Sequence, residues 1–454
     1  MRPILLAFAA SLLLPLGCRK VDPPVDNTEP RSLTRKASNY DDKMAAEWMQ
    51  LGYGIIKTNY LYGPHAARTY GYLGLTVWES VCNGIPGAKS MAGQINDFPT
   101  AADIDRNKEY DWGIVLCTAM RAVVPELIDN VSAAQRGEIQ TLANIQENEM
   151  VLKGTNDEVR LNSQELGQRV AQKIVERIHR DGRDVIRNLV PVIPTRDAEH
   201  KWYWDPKTYN QQPVEPLWGT VRTFVIDNSQ SCEGAPPIPY SEGAGSPFHV
   251  EAKEVYDYYP LTDNARRIAY HWDNGPGRTC SSACHWVNIA LQLLDRENKN
   301  LADAAKTFAL TGFAVADAFS QCWYMKYKYF LLRPGTYIKE VIDPNWEAAI
   351  GTPPYPDYTS GSSTVGGAVP VVLAEIFGNV PFIDRTHLGS PLYTPDGGPW
   401  ILPEREFVSL SKAGEEQALS RIIGGVHFRK ACDEGLKSGR CIGNTVLARL
   451  DFGI

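Results

Sequence analysis

The sequence predicts an all-α protein built as two helical halves, and three observations predict it. Apolar residues recur at three- and four-residue steps through most of the chain, the pattern of helices with one buried face. A loop-rich stretch from Asp181 to Phe248, dense in Pro, Gly, Trp and Tyr, separates an earlier helical part from a later one. With 454 residues, 43% hydrophobic and 22% charged, the chain is long and apolar enough for one large helical domain of two similar halves.

In chain order, the apolar run Ile4 to Leu16 after Met-Arg-Pro is too short to span a bilayer and has the layout of a secretory signal. Leu14-Pro-Leu-Gly-Cys18 resembles a bacterial lipoprotein cleavage box with Pro15 where an aliphatic residue is usual, so lipidation at Cys18 and plain secretion are both open. A polar, Pro-rich tether follows, which buries too little apolar surface to fold. Residues 1–17 are thus expected to be signal, 18–37 tether, 38–248 the first helical half with its irregular connection, and 249–454 the second half.

Helices are expected over Asp41–Leu61, Pro64–Val81, Lys108–Leu127, Ala133–Leu152 and Asp157–Arg180, with Pro64 in a first turn and Asn156 as a cap. After the connection they resume at Ala252–Tyr258, Asp263–Trp272, Ser282–Arg296 and Leu301–Lys328. The Pro-rich Thr352–Asp357 interrupts them. A helix from near Ser360 to Phe377 follows, kinked at Pro370, and then Glu404–Ile423 and His427–Leu447 across Gly424-Gly425.

A net charge of -7 argues against nucleic acid or an anionic membrane surface as the main partner. No segment after the N-terminus is apolar enough to cross a membrane, and a monomer is expected. Beyond Cys18, eight cysteines remain, which permits disulfides in an exported chain without giving their pairing. The histidines lie scattered without metal-ligand spacing, so no zinc site is expected.

Three stretches carry the chemistry: Lys326-Tyr-Lys-Tyr-Phe-Leu-Leu-Arg333-Pro334, Ser360-Gly361-Ser362-Ser363, and Ser420-Arg421-Ile-Ile-Gly-Gly-Val-His427. Burying an oxyanion requires charged donors, which Lys326, Arg333 and Arg421 supply. Most Lys and Arg are solvated surface cations, but the aromatic and aliphatic residues between Lys326 and Arg333 suggest a buried setting. A seven-residue step on one helix puts Lys326 and Arg333 on the same face. Ser360 and Gly361 open a helix after a Pro-stiffened loop, where free N–H groups favour an anion, though an ordinary Ser cap reads the same way. The glycine pair brings Arg421 and His427 towards one point.

Together the pattern Lys-x6-Arg-Pro, Ser-Gly, Ser-Arg-x5-His resembles the type-2 phosphatidic acid phosphatase superfamily, and more closely its vanadium-dependent haloperoxidase branch, including bacterial flavobacterial-type iodoperoxidases. The resemblance extends to Trp323, Tyr355, Trp272-Asp273 and the early stretch Pro64–Tyr70. It implies two helical-bundle halves of that type and a vanadate cofactor bonded axially by His427. Lys326, Arg333, Ser360, Gly361 and Arg421 would hold its equatorial oxygens, with Asp273 orienting Arg421. Hydrogen peroxide and halide would be the substrates, with Lys326 polarising the peroxide. Trp323 and Tyr355 would wall a halide site or simply pack the core. The protein would be an outer-membrane-attached lipoprotein, periplasmic or on the cell surface, or else secreted.

Two departures stand out. Relatives commonly have a His acid/base after Ser-Gly, and here it is Ser362. General acid–base catalysis contributes about 100- to 10,000-fold, so this disfavours phosphatase chemistry and chloride oxidation and favours iodide, then bromide. Four residues after His427, where many relatives have Asp, this chain has Ala431, with Asp433 out of step. An acid phosphatase with His427 as nucleophile and a non-catalytic oxyanion-binding lipoprotein are the alternatives.

Overall fold

Several helices start where a side-chain oxygen satisfies the first unpaired backbone N–H groups. The computed structural model describes residues 35–209, 212–275, 278–279, 281–393 and 399–454, so the expected signal peptide, Cys18, most of the tether and Cys280 lie outside the described residues. In it Asn156 accepts from Val159 N at 2.9 Å, and Ser132 and Asn300 form reciprocal capping boxes with Gln135 and Asp303. The early helices are α1 Lys43–Thr58, α2 Gly63–Val81, α3 Trp112–Leu127, α4 Ala133–Leu152, α5 Asp157–Arg180 and α6 Arg183–Ile186. After the irregular connection come α7 Pro247–Asp257, α8 Asp263–His271, α9 Ser282–Arg296, α10 Leu301–Tyr329, α11 Pro334–Val341, α12 Gly361–Phe377, α13 Leu410–Ile423 and α14 Arg429–Arg449. Residues 34–454 form one compact unit.

Several elements differ from expectation. The helix expected from Glu404 begins only at Leu410, because Arg405–Phe407 (β4) pairs antiparallel with Phe382–Asp384 (β1) and the rings of Phe382 and Phe407 stack at 5.3 Å. A second small ladder joins Pro391–Tyr393 (β2) to Pro399–Ile401 (β3). The last helix starts at Arg429, which leaves His427 in the preceding turn. Lys326 and Arg333 do not share one helix. Phe330 takes a left-handed conformation at φ 48° and ends α10, and Arg333 is the extended N-cap of α11, with Pro334 in its first turn.

The centre of the fold is the crossing of α2 and α10, both buried along most of their length. Their backbones touch through glycine: a Cβ on Gly74 would lie 2.3 Å from Phe308 O, and one on Gly312 would lie 2.4 Å from Tyr70 O. The same device packs α12 against α14, where a Cβ on Gly439 would lie 2.0 Å from Thr364 O. The irregular connection is tied to this centre. Asp317 of α10 accepts from the backbone N–H groups of Phe224, Val225 and Ile226 at 2.6, 2.8 and 2.9 Å. Buried Arg177 of α5 donates to the carbonyls of Asn96 and Thr223. Cys232 in the connection is disulfide-bonded to Cys441 of α14.

Gly74→Ala should therefore destabilise the protein by about 1–3 kcal/mol, the cost of overpacking a tight contact. Gly137→Ala, on the exposed face of α4 with open space around it, should stabilise by about 0.8–1 kcal/mol. Denaturant midpoints of the two variants against the parent check both signs.

Candidate active site

The site forms where α10 ends, α11 and α12 begin, and the turn between α13 and α14 crosses them. The Pro-rich loop 351–360 supplies its floor, because its carbonyls turn inward instead of pairing with a neighbouring strand. Lys326 Nζ, fully buried, donates to the carbonyls of Pro356, Asp357 and Thr359 at 2.9, 3.0 and 2.5 Å. Arg333, also fully buried, donates from Nε to Tyr355 O at 2.9 Å, from Nη1 to Val426 O at 2.7 Å and from Nη2 to Pro356 O at 3.3 Å. Dipoles, not carboxylates, thus hold the two cations.

Gly425 makes the turn that delivers the third stretch. Its φ is +82°, and a Cβ there would meet the Tyr259 hydroxyl at 2.7 Å and Trp346 at 2.8 Å, so only glycine fits. The backbone N–H groups of Val426 and His427 return to Arg421 O at 3.0 and 3.3 Å. Arg421 Nη1 donates to Trp272 O at 3.0 Å, while its buried Nε has no partner among the described residues.

The histidine's protonation follows from its neighbours. Arg333 Nη1 lies 3.2 Å from His427 Nε2, and a guanidinium can only donate, so Nε2 carries the lone pair. Nδ1 therefore carries the proton and donates to Asp357 Oδ1 at 2.8 Å. Burial holds the His427 imidazole well below its usual pKa, helped by Arg333, Lys326 and Arg421. Burial likewise pushes Asp357 up to about 7, opposed by Arg333 and Lys326.

Ser360 caps α12. Its Oγ accepts from Ser363 N at 3.3 Å and from Ser363 Oγ at 2.9 Å, which leaves its own proton for a further acceptor. A Cβ at Gly361 would make only ordinary contacts, the nearest being Trp323 at 3.6 Å, so packing alone does not demand glycine there. Gly361, Ser362, Tyr355, Asp273 and Arg421 all line one cavity of about 300 Å³. Trp323 and Tyr355 lie 4.8 Å apart, centroid to centroid, under Lys326, with the Trp323 indole N–H donating to Val214 O.

The fold thus brings Lys326, Arg333, Ser360, Gly361, Arg421 and His427 into one place, with Ser362 and Tyr355 at the pocket and Trp323 behind it. Asp273 lines the same cavity, but its carboxylate pairs with Arg278, and the group that Arg421 meets is the Trp272 carbonyl. Asp357 was missed from sequence as the histidine's partner. Its signal was available: an acid in the Pro-stiffened loop three residues before Ser360, in a chain whose position 431 offers none.

Three buried cations converge here; among the described residues Asp357 is turned to the histidine, and Asp273, beside Arg421, is paired with Arg278. A multiply charged tetrahedral anion would meet Lys326, Arg333, the free Arg421 Nε, the Ser360 proton and the start of α12. The opposite face would meet an imidazole lone pair. That set has the donors an oxyanion would need, with an imidazole nitrogen beside it.

Comparison with known proteins agrees. A family described as the VCPO second helical-bundle domain matches residues 306–452. A solved structure described as the first bacterial vanadium-dependent iodoperoxidase is 29% identical, with a TM-score of 0.80, covering 93% of this chain and 98% of its own. The holo and apo forms of a bacterial vanadium-dependent chloroperoxidase share the fold at 14% identity and a TM-score of 0.63, covering 85% of this chain and 92% and 93% of theirs. No curated protein matches the sequence.

Burial pushes Lys326 down to about 8. Oxyanion binding needs its charged form, so affinity for inorganic phosphate should fall by about tenfold per pH unit above about pH 8, while phosphate stays a dianion. Calorimetric titration across that range should show the slope, and Lys326→Met should flatten it. A flat parent profile contradicts the assignment.

Proposed function

We infer that this chain is a member of the vanadium-dependent haloperoxidase family, and we propose that it oxidises halide, iodide before bromide, with hydrogen peroxide to hypohalous acid. One observation carries the reading beyond oxyanion binding: His427 Nε2 offers an unprotonated lone pair to a pocket of buried cations. A phosphate-binding site needs the cations but not a held, neutral imidazole. Vanadate would use both, the cations for its oxygens and His427 as a nitrogen ligand; a phosphatase with His427 as nucleophile would use both as well, but would also want the acid that Ser362 does not supply. The iodide preference is supported by the likeness to the iodoperoxidase structure and by Ser362, which supplies no acid/base at a position where relatives carry His.

Bound vanadate supplies a Lewis-acidic centre that activates peroxide without changing oxidation state. The chain's own residues do the rest. Arg333, Arg421, Ser360 and the Gly361 backbone hold the oxyanion charge. Asp357 keeps the proton on His427 Nδ1 and fixes the ring, and losing such a partner costs about 10- to 100-fold in metal affinity or activity. Lys326, whose three protons rest on the Pro356, Asp357 and Thr359 carbonyls, would supply positive charge beside the oxyanion and donate to peroxide oxygen by exchanging one of those bonds; the proton consumed in H₂O₂ + I⁻ + H⁺ → HOI + H₂O comes from solvent. Tyr355, backed by Trp323, gives the cavity an aromatic wall that suits a large, weakly hydrated anion.

Export is proposed too, with lipid attachment at Cys18 and monomeric organisation. The apolar run before Cys18 supports it, as does the Cys232–Cys441 disulfide, a bond that oxidising compartments keep.

Metal-stripped protein should gain iodide oxidation on addition of orthovanadate and lose it to excess phosphate. His427→Ala should abolish it, and Asp357→Ala should raise the vanadate requirement about 10- to 100-fold. Steady-state assays of triiodide formation check each. Turnover of a phosphomonoester that vanadate inhibits, with no iodide oxidation, would make the protein a phosphatase.

A further inference from the structure

We propose that His271, His285 and Asp384, joined by His387, form a second metal site behind the oxyanion pocket, suited to a zinc-like divalent cation. These residues lie far apart in sequence, which is why spacing alone predicts no such site. The fold collects them: His271 ends α8, His285 lies on α9, and Asp384 closes β1. All four side chains are at least 97% buried. One potential ligand atom from each of His271, His285 and Asp384 lies within 4.8 Å of the other two.

The hydrogen-bond network fixes which atoms face inward. Asn274 Nδ2 donates to Trp272 O at 3.3 Å, so Asn274 Oδ1 is the atom beside Thr279 Oγ1 at 2.6 Å and His285 Nδ1 at 2.8 Å. An amide oxygen only accepts, so His285 Nδ1 carries a proton. His285 Nε2 lies 2.5 Å from Asp384 Oδ2, so both ring nitrogens meet oxygen atoms. In the metal-free protein a proton bridges that short contact, and a bound cation would displace it, as ligand imidazoles and carboxylates give up their protons to a metal. His271 Nε2 approaches the same Oδ2 at 2.9 Å.

The surroundings have the form of an outer shell around a metal. Asn274 sets the tautomer of His285, and Thr386 N and Gln292 Nε2 hold the other carboxylate oxygen, Oδ1, at 2.9 and 3.4 Å. The ring of His387 packs edge-on against His285 and His271 at 5.2 and 5.9 Å, and its buried Nε2 has no partner among the described residues. Three imidazoles and a carboxylate are a zinc-type donor set. The cation would be structural. It would anchor the run His271–Asn274, whose Trp272 carbonyl receives Arg421 and whose Asp273 and Asn274 line the pocket.

The test uses the full chain, stripped by chelator and titrated with Co²⁺ without vanadate. The expected result is about one cobalt per chain, with the visible absorption of a four-coordinate nitrogen/oxygen site. Tm should rise with Co²⁺, and Zn²⁺ should displace the cobalt. His387→Gln should weaken binding by about 10- to 100-fold, and Asp384→Asn should abolish the spectrum. His427→Ala should leave it unchanged. If the parent chain binds neither Co²⁺ nor Zn²⁺ stoichiometrically and its Tm does not respond, the proposal fails and the cluster is a proton-bridged network. A spectrum that survives both His387→Gln and Asp384→Asn overturns it as well.

Discussion

Three buried cations gathered at one point are the constraint on which the active half of the structure depends. Lys326 and Arg333 are fully buried and Arg421 nearly so, and burying an unpaired charge is costly enough that proteins normally pair it. Here Asp357 is engaged by the histidine, and Asp273, the carboxylate that acts on Arg421, is shared with Arg278. Backbone carbonyls partly compensate Lys326 and Arg333, and the remaining positive potential is what an oxyanion would neutralise. Burial lowers Lys326, Arg421 and His427 alike, and in each the neighbouring cations add to the effect.

The rest of the fold keeps that charge from relaxing. Loop 351–360 cannot swing its carbonyls away, because Val214 N bonds Pro354 O at 3.1 Å and Asp357 N bonds Leu331 O at 2.9 Å. The irregular connection that provides Val214 is itself held by Asp317 on the central helix and by the disulfide to α14. The α2–α10 crossing, packed backbone to backbone through Gly74 and Gly312, gives α10 a fixed end from which Lys326 projects. The segment that reads from sequence as irregular connection, of the kind that wraps a site or packs two halves together, is a brace for the site.

Much of this was legible in the sequence. Helical periodicity located most helices within a few residues, and the cations, Ser-Gly and His that meet in the pocket were all readable as residue types suited to an oxyanion. What failed did so for reasons that lie between segments. The continuity of Lys326 with Arg333 broke at Phe330, whose left-handed backbone is unusual for a bulky residue and carries no local signal. The helix expected from Glu404 lost its first turn to a strand that exists only because Phe382 is there to pair with Phe407. Asp357 and the His271–His285–Asp384 cluster are pairings across 70, 99 and 113 residues, which no periodicity reports.

The central claim is that the pocket is a buried excess of positive charge awaiting an oxyanion, and thermal unfolding of metal-stripped protein with increasing orthovanadate tests it most directly. Tm should climb steadily with vanadate, and Arg421→Met, which removes one buried cation, should melt no lower than the stripped parent and respond far less. A parent Tm indifferent to vanadate, or an Arg421→Met protein that is destabilised yet keeps the full response, would contradict it.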